Sequence, residues 1–136
     1  MALVVDSSIA ASWGLPDENC LAAAQALDAA ATEEVIVPGV FWHELRNVFL
    51  VNERRRRLTS EETEIGLKLV EAMSPRIDET TSHQDILHAA RRHGLTAYDA
   101  VYLALALRIG ATLATLDIDL AKAATSEKVP VIAERS

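Results

Sequence analysis

Cys20 is the only cysteine of this 136-residue chain, which excludes an internal disulfide and any metal site built from several thiolates. Aromatic residues are equally scarce, at 4%, so the apolar bulk has to come from Ala, Leu and Val. No apolar run approaches the roughly 18 residues that span a bilayer, and no basic segment followed by a hydrophobic leader opens the chain. A cytoplasmic protein without a membrane segment is therefore expected. The four histidines are spaced wrongly for zinc. His83, His88 and His93 recur every five residues, and His43-Glu44 lacks the second histidine of HExxH because Asn47 stands there. GxSxG and GxGxxG are also missing, which removes the usual serine-hydrolase elbow and the dinucleotide fingerprint.

Half the residues are hydrophobic and 24% are charged, with no Gly/Ser/Pro-rich linker or biased tract. Residues 1–136 are expected to form a single domain, long enough to bury about two thirds of the surface of the unfolded chain. The net charge of −7 argues against a protein that coats nucleic acid with a broad basic face. Arg54-Arg55-Arg56-Arg57 is a local exception with two readings, a solvated helix end favoured by the dipole or a phosphate-contacting patch.

Short apolar runs alternate with helical ones. Ala2-Leu3-Val4-Val5, Val35-Ile36-Val37-Pro38 and Ala111-Thr112-Leu113-Ala114-Thr115-Leu116 read as buried strands, with weaker strands around Arg76-Ile77-Asp78 and Val129-Pro130-Val131-Ile132. Between them, helices are predicted from Asp6 through Trp13 with a stop near Gly14 and Pro16, over Asn19–Ala31, and over Phe41–Arg57. Others follow from Thr59 to Met73, from a Ser82 cap to His93 with Gly94 as left-handed stop, over Ala97–Ile109 before Gly110, and from Asp117 to Thr125. This alternation implies an α/β domain with a parallel sheet covered on both faces.

The helix within Gly94–Leu107, GLTAYDAVYLALAL, is apolar nearly all round and so belongs in the core. Its first turn nevertheless carries Asp99. An acid there needs a partner, and Thr96-Ala97-Tyr98-Asp99 supplies one reading, a capping box. A second comes from topology. Helix starts and strand carboxyl ends share one edge of such a sheet, where ligands bind, and Asp6, Glu44, Asp99 and Asp117 all fall there. Separately, Asp6 and Asp117 read as N-caps and Glu44 as an exposed helix residue. Together, four carboxylates on one rim raise each other's pKa unless a cation sits among them, and an all-oxygen set suits Mg²⁺ or Mn²⁺. Such a centre can activate water and neutralise a phosphoryl group, which is phosphodiester hydrolysis.

Four segments, VVDSS, VPGVFWHELRNVF, LTAYDAVYLALAL and ATLDIDLAKAA, resemble in their order the PIN-domain ribonucleases, specifically the VapC toxins of bacterial toxin–antitoxin pairs. The resemblance covers nearly the whole chain. It implies a three-layer α/β/α fold with a central parallel sheet, a Mg²⁺- or Mn²⁺-dependent endoribonuclease acting on RNA, a homodimer, and a VapB antitoxin whose tail fills the active-site groove. Asp6, Glu44, Asp99 and Asp117 match the family's acidic positions, as metal ligands and catalytic groups. Ser7 and Thr115 match flanking polar residues that orient carboxylates or waters, and Asn47 matches a frequent polar position that otherwise reads as a packing hydrogen bond. Asp119, two residues from Asp117 on a helix, is expected to face solvent. Trp13, Trp42, Phe41, Phe49, Tyr98 and Tyr102 read as core or dimer contacts before base-stacking platforms.

Two rivals stand beside this reading. A phosphoryl-acceptor receiver or aspartyl phosphatase lacks support, because Asp6 is followed by Ser7-Ser8 and Asp-x-Asp is missing there. A PIN-like module that binds RNA or protein without cutting is told apart only by what the acids do.

Overall fold

The computed structural model describes residues 1–15 and 20–134. Its elements are β1 (Ala2–Val5), α1 (Ser7–Gly14), α2 (Leu21–Ala30), β2 (Glu34–Val37), α3 (Phe41–Arg54) and α4 (Ser60–Ala72). They continue with β3 (Arg76–Ile77), α5 (His83–His93), α6 (Ala97–Ile109), β4 (Thr112–Ala114), α7 (Ile118–Ser126) and β5 (Val131–Ile132). Every strand expected from the pattern is present, the outer two reduced to two residues each. The expected start of α2 at Asn19 and the stop at Pro16 lie outside the described residues.

All strand pairs are parallel, in the order β3-β2-β1-β4-β5. With right-handed crossovers, the chain moves outward from β1 to β3, returns across the sheet, and continues through β4 to β5. Helices α1 to α4 pack together on one face and α5 to α7 on the other. This is the expected three-layer α/β/α arrangement. The direction of winding reverses between β1 and β4, which places the ligand crevice of such sheets at their carboxyl ends.

Leu3, Val4 and Val5 of β1 are fully buried, as a strand covered on both faces must be. Helix α6 supplies Ala100, Leu103, Leu105 and Ala106 to the same core. It starts at a Thr96 cap and ends at Gly110, whose φ of 67° is the left-handed conformation that glycine adopts without penalty. On the opposite face α1 and α4 approach closely through two glycines. A Cβ on Gly14 would stand 2.7 Å from Phe49 Cζ and 3.1 Å from the Gly66 Cα, so α1 sits hard against α3 and α4. That contact fixes the helix whose first turn carries part of the site.

β4 covers Thr112–Ala114, shorter than the apolar run Ala111–Leu116, and a helix boundary differs more. Helix α3 ends at Arg54 rather than Arg57. Arg56 takes a φ of 59°, a left-handed conformation costly for a residue with a Cβ, and the turn delivers Leu58 into the core at 6% exposure. Burial of one leucine, with the capping box of Thr59 and Glu62 that starts α4, overrides the helical preference of an arginine run.

Candidate active site at the carboxyl edge of the sheet

Asp6 follows β1 directly and is the N-cap of α1, its Oδ1 accepting the Ile9 N–H at 3.1 Å. The N-cap reading is therefore correct, and the cap leaves capacity for more. Ser8 Oγ donates to the same Oδ1 at 2.5 Å, and Thr115 Oγ1 donates to Oδ2. Both hydroxyls also accept from the neighbouring strand's exit: Ser8 Oγ from the Leu116 N–H at 3.0 Å, Thr115 Oγ1 from the Asp117 N–H at 2.9 Å. The ends of β1 and β4 are thus stitched together through two hydroxyls, and Asp6, 5% exposed, cannot swing away.

Asp117 caps α7 in the same way, with its Oδ1 on the Leu120 N–H at 2.8 Å. Asp99 occupies the first turn of α6, where Thr96 Oγ1 accepts its N–H at 3.1 Å. Thr59 and Glu62 exchange both bonds of a capping box. No matching bond runs from the Thr96 N–H to the Asp99 carboxylate, so only half of the capping-box reading holds. Glu44, in the first turn of α3, accepts the Tyr102 hydroxyl at Oε1 over 2.6 Å.

These acids feel one another. Burial raises the pKa of Asp6, partly offset by Ser8, Thr115 and the Ile9 N–H, and the charge of Asp99 raises it again. Glu44 is raised by burial first, relieved by Tyr102, then raised by Asp99 and Asp6, with Ser7 pulling it down slightly. Asp99 is raised by burial and by Asp117, relieved by Thr96, and raised once more by Asp119. Burial and the bond to Glu44 push the Tyr102 phenol far up, so it stays a donor at any working pH. Repulsion therefore links Asp6, Glu44, Asp99 and Asp117 into one cluster. Among the described residues the salt bridges lie elsewhere, on Glu34, Asp78 and Glu127.

The supporting residues divide. Thr115 is completely buried against Asp6, and Ser7 lies beside Glu44 and Tyr102. Asn47 is exposed on α3, and no hydrogen bond ties its side chain to the rim. Asp119 is exposed as expected, yet near enough to add to the negative field on Asp99. Two residues escaped the sequence reading. Ser8, not Ser7, holds Asp6, a choice set by the phase of α1 after its cap. Helical spacing among apolar residues makes Tyr102 a core or dimer contact, and it is buried, but its hydroxyl meets Glu44 across 58 positions of sequence.

The donor chemistry fits a hard divalent cation: oxygen ligands only, mutually repelling, with no cationic side chain paired to them among the described residues. Among the described residues no three Asp, Glu, His or Cys side chains form a ready-made cage. Asp6 is held by hydroxyls and Glu44 by a phenol, while Asp99 and Asp117 have oxygens free of hydrogen bonds to the protein.

A doubly covered parallel sheet with an uncompensated carboxylate cluster at its switch point defines an acid-rimmed α/β/α domain. The PIN-domain family model matches residues 3–125, and the chain belongs to that family. It is 32% identical over 136 residues to ribonuclease VapC3 of Pyrobaculum aerophilum, covering 97% of this chain and 98% of that relative. Among solved structures, PAE2754 of Pyrobaculum aerophilum superposes with a TM-score of 0.73 at 23% identity, over 97% of this chain and 84% of the other. VapBC2 of Rickettsia felis, crystallised with a DNA fragment from its promoter, gives a TM-score of 0.63 at 14% identity, over 99% and 100%.

Proposed function

We propose that this protein is the toxin of a VapBC-type toxin–antitoxin pair, an endoribonuclease that hydrolyses RNA phosphodiester bonds with Mg²⁺ or Mn²⁺ held by Asp6, Glu44, Asp99 and Asp117. The observation that carries the reading is the gathering of those four acids at the sheet's switch point, where burial and one another's charge raise Asp6, Glu44 and Asp99 and where, among the described residues, the salt bridges lie elsewhere. Kinship to a VapC ribonuclease supports the reaction, and likeness to a VapBC assembly supports a VapB-type antitoxin as partner. Residues 1–136 act as a single domain in the cytoplasm, as a homodimer; among the described residues no helix is long and apolar enough to cross a membrane.

When bound, the cation would lower the pKa of a water and neutralise charge on the phosphoryl group. The chain's own residues supply preorganisation. Ser8 and Thr115 fix Asp6 from two sides, so it contributes negative charge at one place without reorganising. Tyr102 donates to Glu44 Oε1, which orients the carboxylate and leaves its other oxygen free to ligate or accept a proton. Asp99 and Asp117, close enough to repel, complete the acid set and gain most from a cation. Without one, the rim repels a phosphate.

The test is cleavage of a mixed RNA pool by the parent and by Asp99→Asn, in Mg²⁺, in Mn²⁺ and in EDTA, with the new ends sequenced. Cuts that vanish in EDTA and in the variant are expected. Cuts that persist in either would overturn the metal-dependent mechanism, and folded Asp99→Asn as toxic to cells as the parent would leave a non-cleaving module.

A further inference from the structure

The acid rim poses a problem for any RNA substrate: a chain of net charge −7 offers phosphates little attraction, and its catalytic edge offers least of all. Affinity for a polyanion has to reside somewhere else. We infer that the exposed arginine turn between α3 and α4, Arg54-Arg55-Arg56-Arg57, is a second phosphate-binding surface for the RNA backbone. This rests on the ribonuclease reading above.

Four observations support it. The turn gathers four of the chain's 13 basic Lys and Arg residues on consecutive positions, all exposed. Arg76, Arg92 and Arg108 are in salt bridges with acids, whereas the four of the turn are in none among the described residues. The dipole explanation also shrinks, because α3 ends at Arg54 and three of the four arginines lie beyond the helix. Finally, the turn is firmly built. Its backbone N–H groups are satisfied, Arg55 by Val51 at 3.0 Å, Arg56 by Glu53 at 2.9 Å and Arg57 by Asn52 at 2.9 Å. Leu58 is buried immediately after them, and Thr59 opens α4 with a full capping box. Among the described residues no acid pairs with the turn's four guanidinium groups, the side chain best suited to forked phosphate contacts. Arg56 keeps its guanidinium at a left-handed position where glycine would sit without strain.

Position sets the reach. Glu44 and Arg54 lie ten residues apart on α3, so the arginine turn starts roughly 15 Å along the helix from the rim. An RNA strand that runs on from the rim along α3 reaches both, and phosphate contacts at the turn give its binding a steep salt dependence.

The experiment uses the full chain in EDTA, so that binding is read without cleavage, and bulk tRNA as probe, followed by fluorescence anisotropy from 50 to about 300 mM KCl. Each lost phosphate contact flattens the plot of log K against log salt by roughly 0.7 to 0.9. For Arg55→Gln/Arg56→Gly/Arg57→Gln we expect a slope shallower by about 2 and affinity at least tenfold weaker at low salt. Arg56→Gly alone is expected to melt no lower than the parent while binding less tightly, which separates the effect from misfolding. An unchanged slope in the folded triple variant overturns the inference. So does a variant that binds tRNA like the parent but no longer holds an acidic protein partner. RNA bound through the arginines without metal-dependent cleavage would instead sink the ribonuclease reading and leave this surface standing.

Discussion

At the β3 edge, Asp78 faces the Arg108 guanidinium at 2.8 Å and accepts from the Thr80 N–H and hydroxyl, and its pKa is held well below the usual carboxylate range. At the β1–β4 edge, Asp6, Glu44 and Asp99 are shifted the opposite way. Both groups sit at carboxyl ends of strands in one sheet. The difference lies in the partners: Asp78 receives a cation and donors, whereas the rim acids have hydroxyls, a phenol and one another. The fold supplies an arginine to Asp78. At the rim, among the described residues, it supplies groups that aim carboxylates without neutralising them, an arrangement that on the nuclease reading leaves a place for an external cation.

The comparison breaks most visibly at Asp99. Asp99→Asn is expected to lower the single-turnover cleavage rate about a thousandfold, the scale of losing several kcal/mol of electrostatic stabilisation, while its melting temperature stays level or rises because repulsion has gone. A variant within tenfold of the parent would show that Asp99 is an ordinary helix-start acid. Metal should act only at the rim: at a hundred times its Kd, Mg²⁺ or Mn²⁺ adds about 2.7 kcal/mol of stability, seen as a melting shift that Asp99→Asn lacks. Equal shifts in both proteins would place the ion elsewhere.

Acidity sharpens the contrast through sign. Raised pKa values mean that the folded chain binds protons more tightly at the rim, so metal-free stability grows as pH falls from 7 through the raised values of Asp6, Glu44 and Asp99. Asp78 is depressed, so its contribution is complete above the unfolded carboxylate pKa of about 3.9 and fades below it. Urea midpoints against pH should therefore peak in the mildly acidic range, with a maximum displaced toward neutrality by Mg²⁺. A midpoint that does not rise as the pH falls below 7 would contradict the raised pKa values of the rim acids. Disrupting the paired acid directly, Asp78→Ala should cost about 1 to 2 kcal/mol in urea unfolding, since it leaves Arg108 without its carboxylate. Smallest of all, Glu34→Gln should change stability by less than about 0.5 kcal/mol, because Glu34 and Arg76 pair with side chains 56% and 54% exposed. A larger loss would give that pair a structural role its exposure denies.

The architecture and the acids were legible because their signals are local. Ser82, Thr96 and Asp117 cap helices, and Gly94 and Gly110 end them in left-handed turns, so α5, α6 and the start of α7 could be read residue by residue. The parallel topology then carried Asp6, Glu44, Asp99 and Asp117 to one edge. Long-range and competing forces were less visible. The end of α3 is decided by burial of Leu58 against the propensity of four arginines, and β4 is confined to Thr112–Ala114, although the Thr115 N–H still reaches the Ile132 carbonyl at 3.0 Å. The Tyr102–Glu44 bond and the choice of Ser8 over Ser7 depend on side-chain directions across elements, which one sequence does not encode locally.

The hydroxyl stitch between β1 and β4 also sets a schedule. Thr115, which holds Asp6, is made 109 residues after it, and the Asp117 carboxylate follows two positions after that. At about 5 to 20 residues per second, the first acid waits roughly 5 to 20 seconds for its partners. The central strand has no neighbour on its β4 side in that interval. On the nuclease reading, Asp6 made without Thr115 and Asp117 is an acid without its site, and competence for cleavage arrives with the second half of the stitch rather than with the first.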